Sequence, residues 1–421
     1  MKYLMYIFYI FSYSPFITNI ILNLPINFQN ISWTDMPTIE MKGDLRVFWD
    51  VHDHSRGENA KHAYAHGFSP VTEFNTFVDY PGNQKHNIYN FIGEYPSNPW
   101  KKPAFFKDII RNNIIHAGNN GIDVQDIEIN FERNVDKAWH NSITRTDSHA
   151  KNFLDFEKAY FRAWASWYAL PLILVRQEYP GVRAGLFGIQ PFDRDYWGVY
   201  NKSQKQIDKK HRYNYEIWKY IDKYVDFYIS DVYIFYDLPD SIYYIATNVE
   251  QNYRRSKLLS NKPIYAYEWL RYHDSNPSLS NREIAPYLAE AMAIIPFFEG
   301  ARGIVLWGYE PEVTGGDAPP NERLILFMRT LERIGKLSNK ISSGQLQIAE
   351  PAHVLWRERQ PLVRKLLISG GECAVMAIDP WQQDTENSTA RVKCGSHTYE
   401  IQMRGKHTTI SLLSNGSKIE Y

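Results

Sequence analysis

The sequence predicts an α/β protein: a (β/α) TIM-like barrel of seven or eight strands followed by a small C-terminal antiparallel β domain. Three observations carry this expectation. Short β-rich runs alternate with longer helical patterns over about 300 residues. No Gly-x-Gly-x-x-Gly turn follows a predicted strand, which removes the main support for a doubly wound sheet. Beyond Ser342 the helical patterns give out, and short strands separated by Gly, Asn, Asp and Ser turns remain.

In chain order, Leu45–Val51, Phe74–Val78 and Asn87–Ile92 read as strands, being short and rich in β-branched and aromatic residues. Phe106–Ala117 reads as a helix, with Ile109, Ile110 and Ile114 on one face and Gly118 at its end. Asp126–Glu132 alternates strictly and reads as a strand. Phe153–Tyr179 is a long amphipathic helix that stops before Pro180. Ala184–Gln190, Phe227–Phe235, Pro263–Trp269 and Gly303–Trp307 supply further strands. Asn214–Tyr224, Arg282–Phe298 and Asn321–Leu337 supply helices. In the C-terminal part the strands are Leu366–Ile368, Cys373–Ile378, Thr389–Val392 and Thr408–Leu412, with no helix-length pattern between them.

The chain has 421 residues, 44% of them hydrophobic, which excludes wholesale disorder. Its 47 Lys+Arg balance 47 Asp+Glu, and no basic tract is present, so nucleic acid is not an expected partner. Aromatic residues make up 15% of the chain, a content that suits large cores and sugar-stacking surfaces alike. Lys2 followed by a Tyr/Phe/Ile/Leu-rich run gives residues 1–28 the character of a signal peptide, so a secreted or extracytoplasmic location is expected. No later segment reaches the ~20 apolar residues of a membrane span. The barrel is then expected over residues 29–341 and the β domain over 342–421. Cys373 and Cys394 are near enough in sequence for one local disulfide.

The most informative segment is Asp126-Ile127-Glu128-Ile129-Asn130-Phe131-Glu132. On a strand Asp126, Glu128, Asn130 and Glu132 share one face, while Ile127, Ile129 and Phe131 share the other. Carboxylates in one row repel and raise at least one pKa, the condition a general acid needs near neutral pH. Barrel active sites sit at the C-terminal ends of strands, which selects Glu132 and then Asn130. Gln190 and Asp231 end middle strands and are candidate sugar-hydroxyl partners. Trp49, Trp197, Trp269 and Trp307 are candidate stacking surfaces.

From Leu45 to Gly308 the chain resembles the hyaluronidase-type glycoside hydrolases, through six motifs in the correct order. Arg46-Val47-Phe48-Trp49-Asp50-Val51 is similar to the family's Val-Tyr-Trp-Asn-Val. Asn130-Phe131-Glu132 falls where the family has Asp-x-Glu. Leu186-Phe187-Gly188-Ile189-Gln190-Pro191-Phe192, after the helix bearing Phe156-Glu157, is similar to Trp-Gly-Tyr-Tyr-x-Phe-Pro. Asp231-Val232-Tyr233, Pro263-Ile264-Tyr265-Ala266-Tyr267 and Gly303-Ile304-Val305-Leu306-Trp307-Gly308 resemble its Ser-Ile-Tyr, Pro-Val-Tyr-Val-Tyr and Gly-Val-Val-Leu-Trp-Gly strands. The resemblance implies that Glu132 is the general acid/base, that Tyr233 hydrogen-bonds the substrate acetamide and that Trp307 forms its apolar wall. It also implies that the substrate's own acetamide oxygen attacks C1, so no protein nucleophile and no cofactor is required. Asn130 departs from the family's Asp: its amide carries no charge, although its carbonyl can accept the acetamide N–H. Asn-x-Glu pairs also occur in endo-β-N-acetylglucosaminidases. The expectation is therefore hydrolysis of a β-linked N-acetylhexosamine polymer or glycan, with Tyr267, Glu268 and Trp49 as further substrate contacts.

Three other readings remain open in the sequence. Glu268 is a candidate nucleophile for an ordinary retaining glycosidase with Glu132 as acid. A non-catalytic carbohydrate-binding barrel is a second. His52 and His54, followed by His62 and His66, have spacing compatible with a metal site, but the late strands offer Trp307 where such a site needs an Asp. No metal is therefore expected, and nothing indicates an oligomeric state.

Overall fold

The computed structural model describes residues 33–34, 36–52, 58–75, 99–100, 121–126, 135–187, 202–280, 282–309 and 322–421. Among these, seven parallel strands form a nearly closed barrel: β1 Arg46–His52, β2 Ser69–Asn75, β3 Ile122–Asp126, β4 Ala184–Phe187, β5 Tyr228–Asp231, β6 Ile264–Glu268 and β7 Gly303–Tyr309. Their spatial order is β4-β3-β2-β1-β7-β6-β5. The two ends of this sheet are drawn together by Asp226. Its backbone N–H donates to the Ala184 carbonyl at 2.8 Å, and its carboxylate accepts the Ala184 N–H at 2.9 Å. Phe227 fills the interior at the same seam, where a Cβ on Gly185 would lie 2.2 Å from its ring.

Strand alternation sorts the barrel's side chains into two sets. Phe48, Ile122, Val124, Phe227, Ile229, Tyr265 and Val305 fill the interior. Val47, Trp49, Ile264, Ala266, Ile304 and Leu306 face outward into the layer shared with the helices. Those helices are α1 Glu58–Ala65, α2 Val135–His140, α3 Ser142–Ser148, α4 Phe153–Glu178, α5 Gln204–Ile221, α6 Asp240–Leu258, α7 Pro286–Phe298 and α8 Glu322–Ser343. Local chemistry sets their starts. Asn152 caps α4 by accepting the Asp155 N–H at 2.9 Å, and Ser203 and Gln206 form a reciprocal capping box on α5. α6 is tied to β5 by the Asn252 amide, which donates to Ser230 Oγ at 2.7 Å.

Several expected boundaries shift. The third strand begins at Ile122, four residues before the expected start, and residues 127–134 lie outside the described part. β2 begins at Ser69, five residues before the expected Phe74, with residues 76–78 outside the described part, and α5 starts ten residues before the expected Asn214. The helix α6 was not legible at all. The expected strand 87–92, the helix 106–117 and the leader 1–28 also lie outside the described residues.

The C-terminal part is antiparallel, as expected. β8 Gln345–Gln347, β9 Leu362–Ile368, β10 Glu372–Ile378, β13 Thr409–Ser414 and β14 Ser417–Glu420 form a sheet in the order β14-β13-β10-β9-β8. β11 Asn387–Cys394 and β12 His397–Arg404 form a separate ribbon. A short helix, α9 Ala352–Arg357, does intervene between β8 and β9. β10 is buried on both faces. Ala374, Met376 and Ile378 face the barrel side, whereas Cys373, Val375 and Ala377 face the ribbon with Val392, Tyr399, Ile401 and Met403. The Cys373–Cys394 disulfide links β10 to the ribbon.

One buried charge crosses from the sheet to the barrel. Arg364 on β9 is 1% exposed and lies 3.1 Å from Glu250 of α6 and 2.6 Å from Glu299 at the end of α7. Glu250 also accepts the Ala352 N–H at 2.8 Å. Glu250 is also paired at 2.8 Å with the half-exposed Arg254, whereas Glu299, fully buried, has Arg364 as its ion-pair partner among the described residues. Burial first, partly offset by Arg364, pushes the Glu299 carboxyl up from 4.5 to about 8. The folded state therefore holds a proton that the unfolded chain releases. Stability is expected to fall as pH rises from about 4.5 through about 8. In urea titrations Glu299→Gln should flatten that slope, and Arg364→Met should cost about 3–5 kcal/mol by taking the guanidinium away from both buried carboxylates.

Candidate active site

At the C-terminal end of the barrel, aromatic rings from four strands and the loops after them converge. Trp307 on β7 stands 5.3 Å, centroid to centroid, from Tyr233, which follows β5, and 5.1 Å from Trp269, which follows β6. Phe187 at the end of β4 lies 4.8 Å from Tyr267 of β6. His273 packs 5.8 Å from Tyr233. Offset and edge-on rings of this kind form a rigid, apolar wall.

The backbone explains why these rings meet. The Val232 N–H donates to the Tyr267 carbonyl at 3.1 Å, carrying the β5 pairing one residue past the strand. The Tyr233 N–H then donates to Asp231 Oδ1 at 3.3 Å, and the His273 N–H donates to the Ile234 carbonyl at 2.8 Å. On β7, Gly308 has φ +148°, and a Cβ there would lie 2.6 Å from Trp269 Nε1. Only glycine combines that backbone with room for the indole.

A carboxylate joins the rings. Asp50 of β1 lies opposite Trp307 in the sheet register and is 6% exposed. The Tyr267 hydroxyl donates to its Oδ2. Asp50 therefore shares the barrel mouth with Trp307 and Tyr267, although in the sequence it stood only as a member of the first-strand motif, with no role of its own.

Of the candidates from sequence, Tyr233, Trp307 and Tyr267 are brought together, with Asp231 beside Tyr233. Two are carried elsewhere. Trp49 is adjacent to Phe48 on β1 and therefore faces outward, between Trp33 at 5.5 Å and Phe68 at 5.4 Å. Glu268 pairs in register with Leu306, another outward-facing residue, and is 0% exposed. Neither of its oxygens has a hydrogen-bond partner among the described residues, and burial raises its carboxyl well above the usual range. A fully buried carboxyl in the outward row is not placed to attack a sugar in the barrel mouth. Both residues thus leave the site. Glu132, Asn130 and Gln190 lie outside the described residues, as do His54 and Trp197. His62 and His66 flank Trp33 at 5.9 and 5.1 Å, and no group of three potential metal ligands forms among the described residues. Asp50, Phe187 and His273 are the residues that sequence reasoning missed. The signal for Asp50 was its even spacing from Phe48 on a strand whose even face is interior.

No protein-family model matches the chain, and no curated protein matches it in sequence. Solved structures similar to it include bee venom hyaluronidase in complex with a hyaluronic acid tetramer (16% identity, 71% of this chain and 99% of that chain, TM-score 0.44). A β-L-arabinopyranosidase from Geobacillus stearothermophilus (10% identity, 91% and 98%, TM-score 0.42) and an endo-β-1,4-mannanase from Cellulomonas fimi (10% identity, 87% and 79%, TM-score 0.37) are others. With TM-scores below 0.5 these are loose likenesses, and the chemistry rests on the chain's own residues.

The Gly308–Trp269 contact is open to a direct check. Gly308→Ala should cost about 1–3 kcal/mol in denaturant unfolding, through backbone strain and the indole clash. A Gly308→Ala/Trp269→Phe pair should be less destabilised than the sum of the two single changes.

Proposed function

We propose that the protein is a glycoside hydrolase acting on a β-linked N-acetylhexosamine polymer or glycan, with the substrate acetamide as internal nucleophile and Glu132 as general acid/base. The observation that carries this reading is the cluster of Tyr233, Trp307 and Tyr267 around one end of the barrel, with a buried carboxylate among them. An apolar wall bearing hydroxyl groups suits a sugar with an acetamide substituent: the rings take its methyl and its C–H faces, and a phenol takes its polar edge.

Glu132 follows the last residue of β3 by six positions in sequence, and the C-terminal end of β3 belongs to the same rim. Its acid form donates a proton to the glycosidic oxygen while the acetamide carbonyl oxygen attacks C1 and expels the leaving sugar. Its carboxylate then removes a proton from the water that opens the oxazolinium ion. Asn130 orients the acetamide by accepting its N–H, Tyr233 donates to the acetamide oxygen, and Gln190 and Asp231 bind sugar hydroxyls. The retaining alternative with Glu268 loses its support, because that carboxyl is buried in the helix layer.

The disulfide favours an extracytoplasmic location for this enzyme, since such bonds persist in oxidising compartments. No helix among the described residues is long and apolar enough to cross a membrane. We take the barrel as residues 29–341 and the C-terminal domain as 342–421, a division supported by the end of α8 at Ser343.

Turnover of hyaluronan, chitin oligomers, peptidoglycan and N-glycans by purified protein tests the proposal. Glu132→Gln should lower kcat by about 10³-fold while sugar binding measured by calorimetry is kept. Glu268→Gln should retain turnover. Unchanged sugar affinity with no turnover by the unsubstituted protein would instead identify a carbohydrate-binding barrel, the reading that Asn130 favours.

A further inference from the structure

We infer that Asp50 supplies the negative charge that stabilises the cationic intermediate, the task that an uncharged Asn130 cannot perform. This rests on the acetamide-participation reading above and adds a residue to it.

The argument starts from charge. When the acetamide oxygen closes on C1, the electron pair of the C1–O bond leaves with the departing oxygen, which takes the proton from Glu132. The five-membered ring that forms carries a full positive charge. A fixed anion nearby, held out of bulk water, lowers the energy of that state more than that of the neutral substrate. Glu132 becomes a carboxylate only as it gives up its proton, and Asn130 stands where the resembling motif has an aspartate, so an anion fixed in advance of that step has to come from elsewhere. On β1 the exchange runs the other way. The resembling motif reads Val-Tyr-Trp-Asn-Val, whereas this chain reads Val47-Phe48-Trp49-Asp50-Val51, with a carboxylate in place of an amide.

Geometry puts that carboxylate in the right layer of the barrel. Phe48, two residues earlier on the strand, belongs to the interior cluster, and Asp50 shares its face. Asp50 lies opposite Trp307 in the register between β1 and β7 and takes the hydroxyl of Tyr267 from β6. Tyr267 is itself wedged against Phe187 and Tyr233, so its hydroxyl is aimed by packing. A hydroxyl held on one carboxylate oxygen is a charge-assisted bond that fixes the anion's orientation. Asp231, another acidic residue among the described ones at the mouth, has one oxygen engaged by the Tyr233 N–H and sits beside Tyr267 in register, one side-chain layer below Trp307 and Asp50. Among the described residues Asp50 is thus the carboxylate in register with the indole wall.

The test uses full-length protein and the best substrate from the turnover screen. Asp50→Asn, which keeps shape and removes charge, should lower kcat about 100-fold with KM changed less than about threefold. It should weaken N-acetylglucosamine-thiazoline, which mimics the cationic ring when its nitrogen takes up a proton, at least about tenfold, while affinity for di-N-acetylchitobiose, which carries no such ring, is kept. The charge-relocated pair Asp50→Asn/Asn130→Asp should regain about tenfold in kcat over Asp50→Asn, which a purely structural Asp50 would not allow. Should Asp50→Asn fail to fold in circular dichroism, Tyr267→Phe decides: it should weaken thiazoline binding about fivefold or more. An Asp50→Asn enzyme with undiminished kcat, or thiazoline affinity unchanged in whichever variant folds, overturns the inference while leaving the glycosidase reading intact. A native protein that neither turns over any of the substrates nor binds the thiazoline overturns both.

Discussion

Everything at the barrel mouth depends on the seam where Asp226 joins β4 to β5. A parallel sheet left open would expose two edges and one face, whereas closure gives each side chain only two destinations, the interior column or the helix layer. Phe227 at Gly185 and the paired hydrogen bonds between Asp226 and Ala184 make that closure. Once the sheet closes, neighbouring residues have opposite fates. Tyr267 reaches the mouth and Glu268 does not; Asp50 reaches it and Trp49 does not.

The same two-residue period organises the C-terminal part. Alternate residues of β10 serve two cores, one against the barrel's helices and one against the ribbon that the disulfide ties down. Arg364 links the first of these to α6 and α7 through two carboxylates. The arrangement couples the sheet to the helices behind β5, β6 and β7, the strands that carry Tyr233, Tyr267 and Trp307. The sheet therefore braces the side of the barrel from which three of the mouth's residues come.

Much of this architecture was legible because period and punctuation were clear. β1, β6, β7, α4 and the β10 strand sit within one or two residues of their expected positions. α6 was hidden because it is buried nearly all round, including Thr247, Asn248 and Asn252, so no one-sided apolar stripe marked it. The facing of β6 was also illegible: Ile264 and Ala266 on one row and Tyr265 and Tyr267 on the other are both apolar, as a strand covered on two faces must be. Only register with β7 shows that Glu268 belongs to the outward row. For the site, Tyr233, Trp307 and Tyr267 came from motif resemblance, whereas Asp50 needed the three-dimensional pairing of β1 with β7 and the reach of a tyrosine from β6.

The central claim is that an acetamide group at this mouth does the work of a nucleophile. A series of otherwise identical N-acetylhexosaminides carrying mono-, di- and trifluoroacetyl groups tests it most directly, because each fluorine draws electrons from the attacking carbonyl oxygen. Acetamide participation predicts that kcat/KM falls steeply along the series, by about tenfold or more per fluorine. Rates that stay level across the four substrates would contradict it and transfer the nucleophile to the protein.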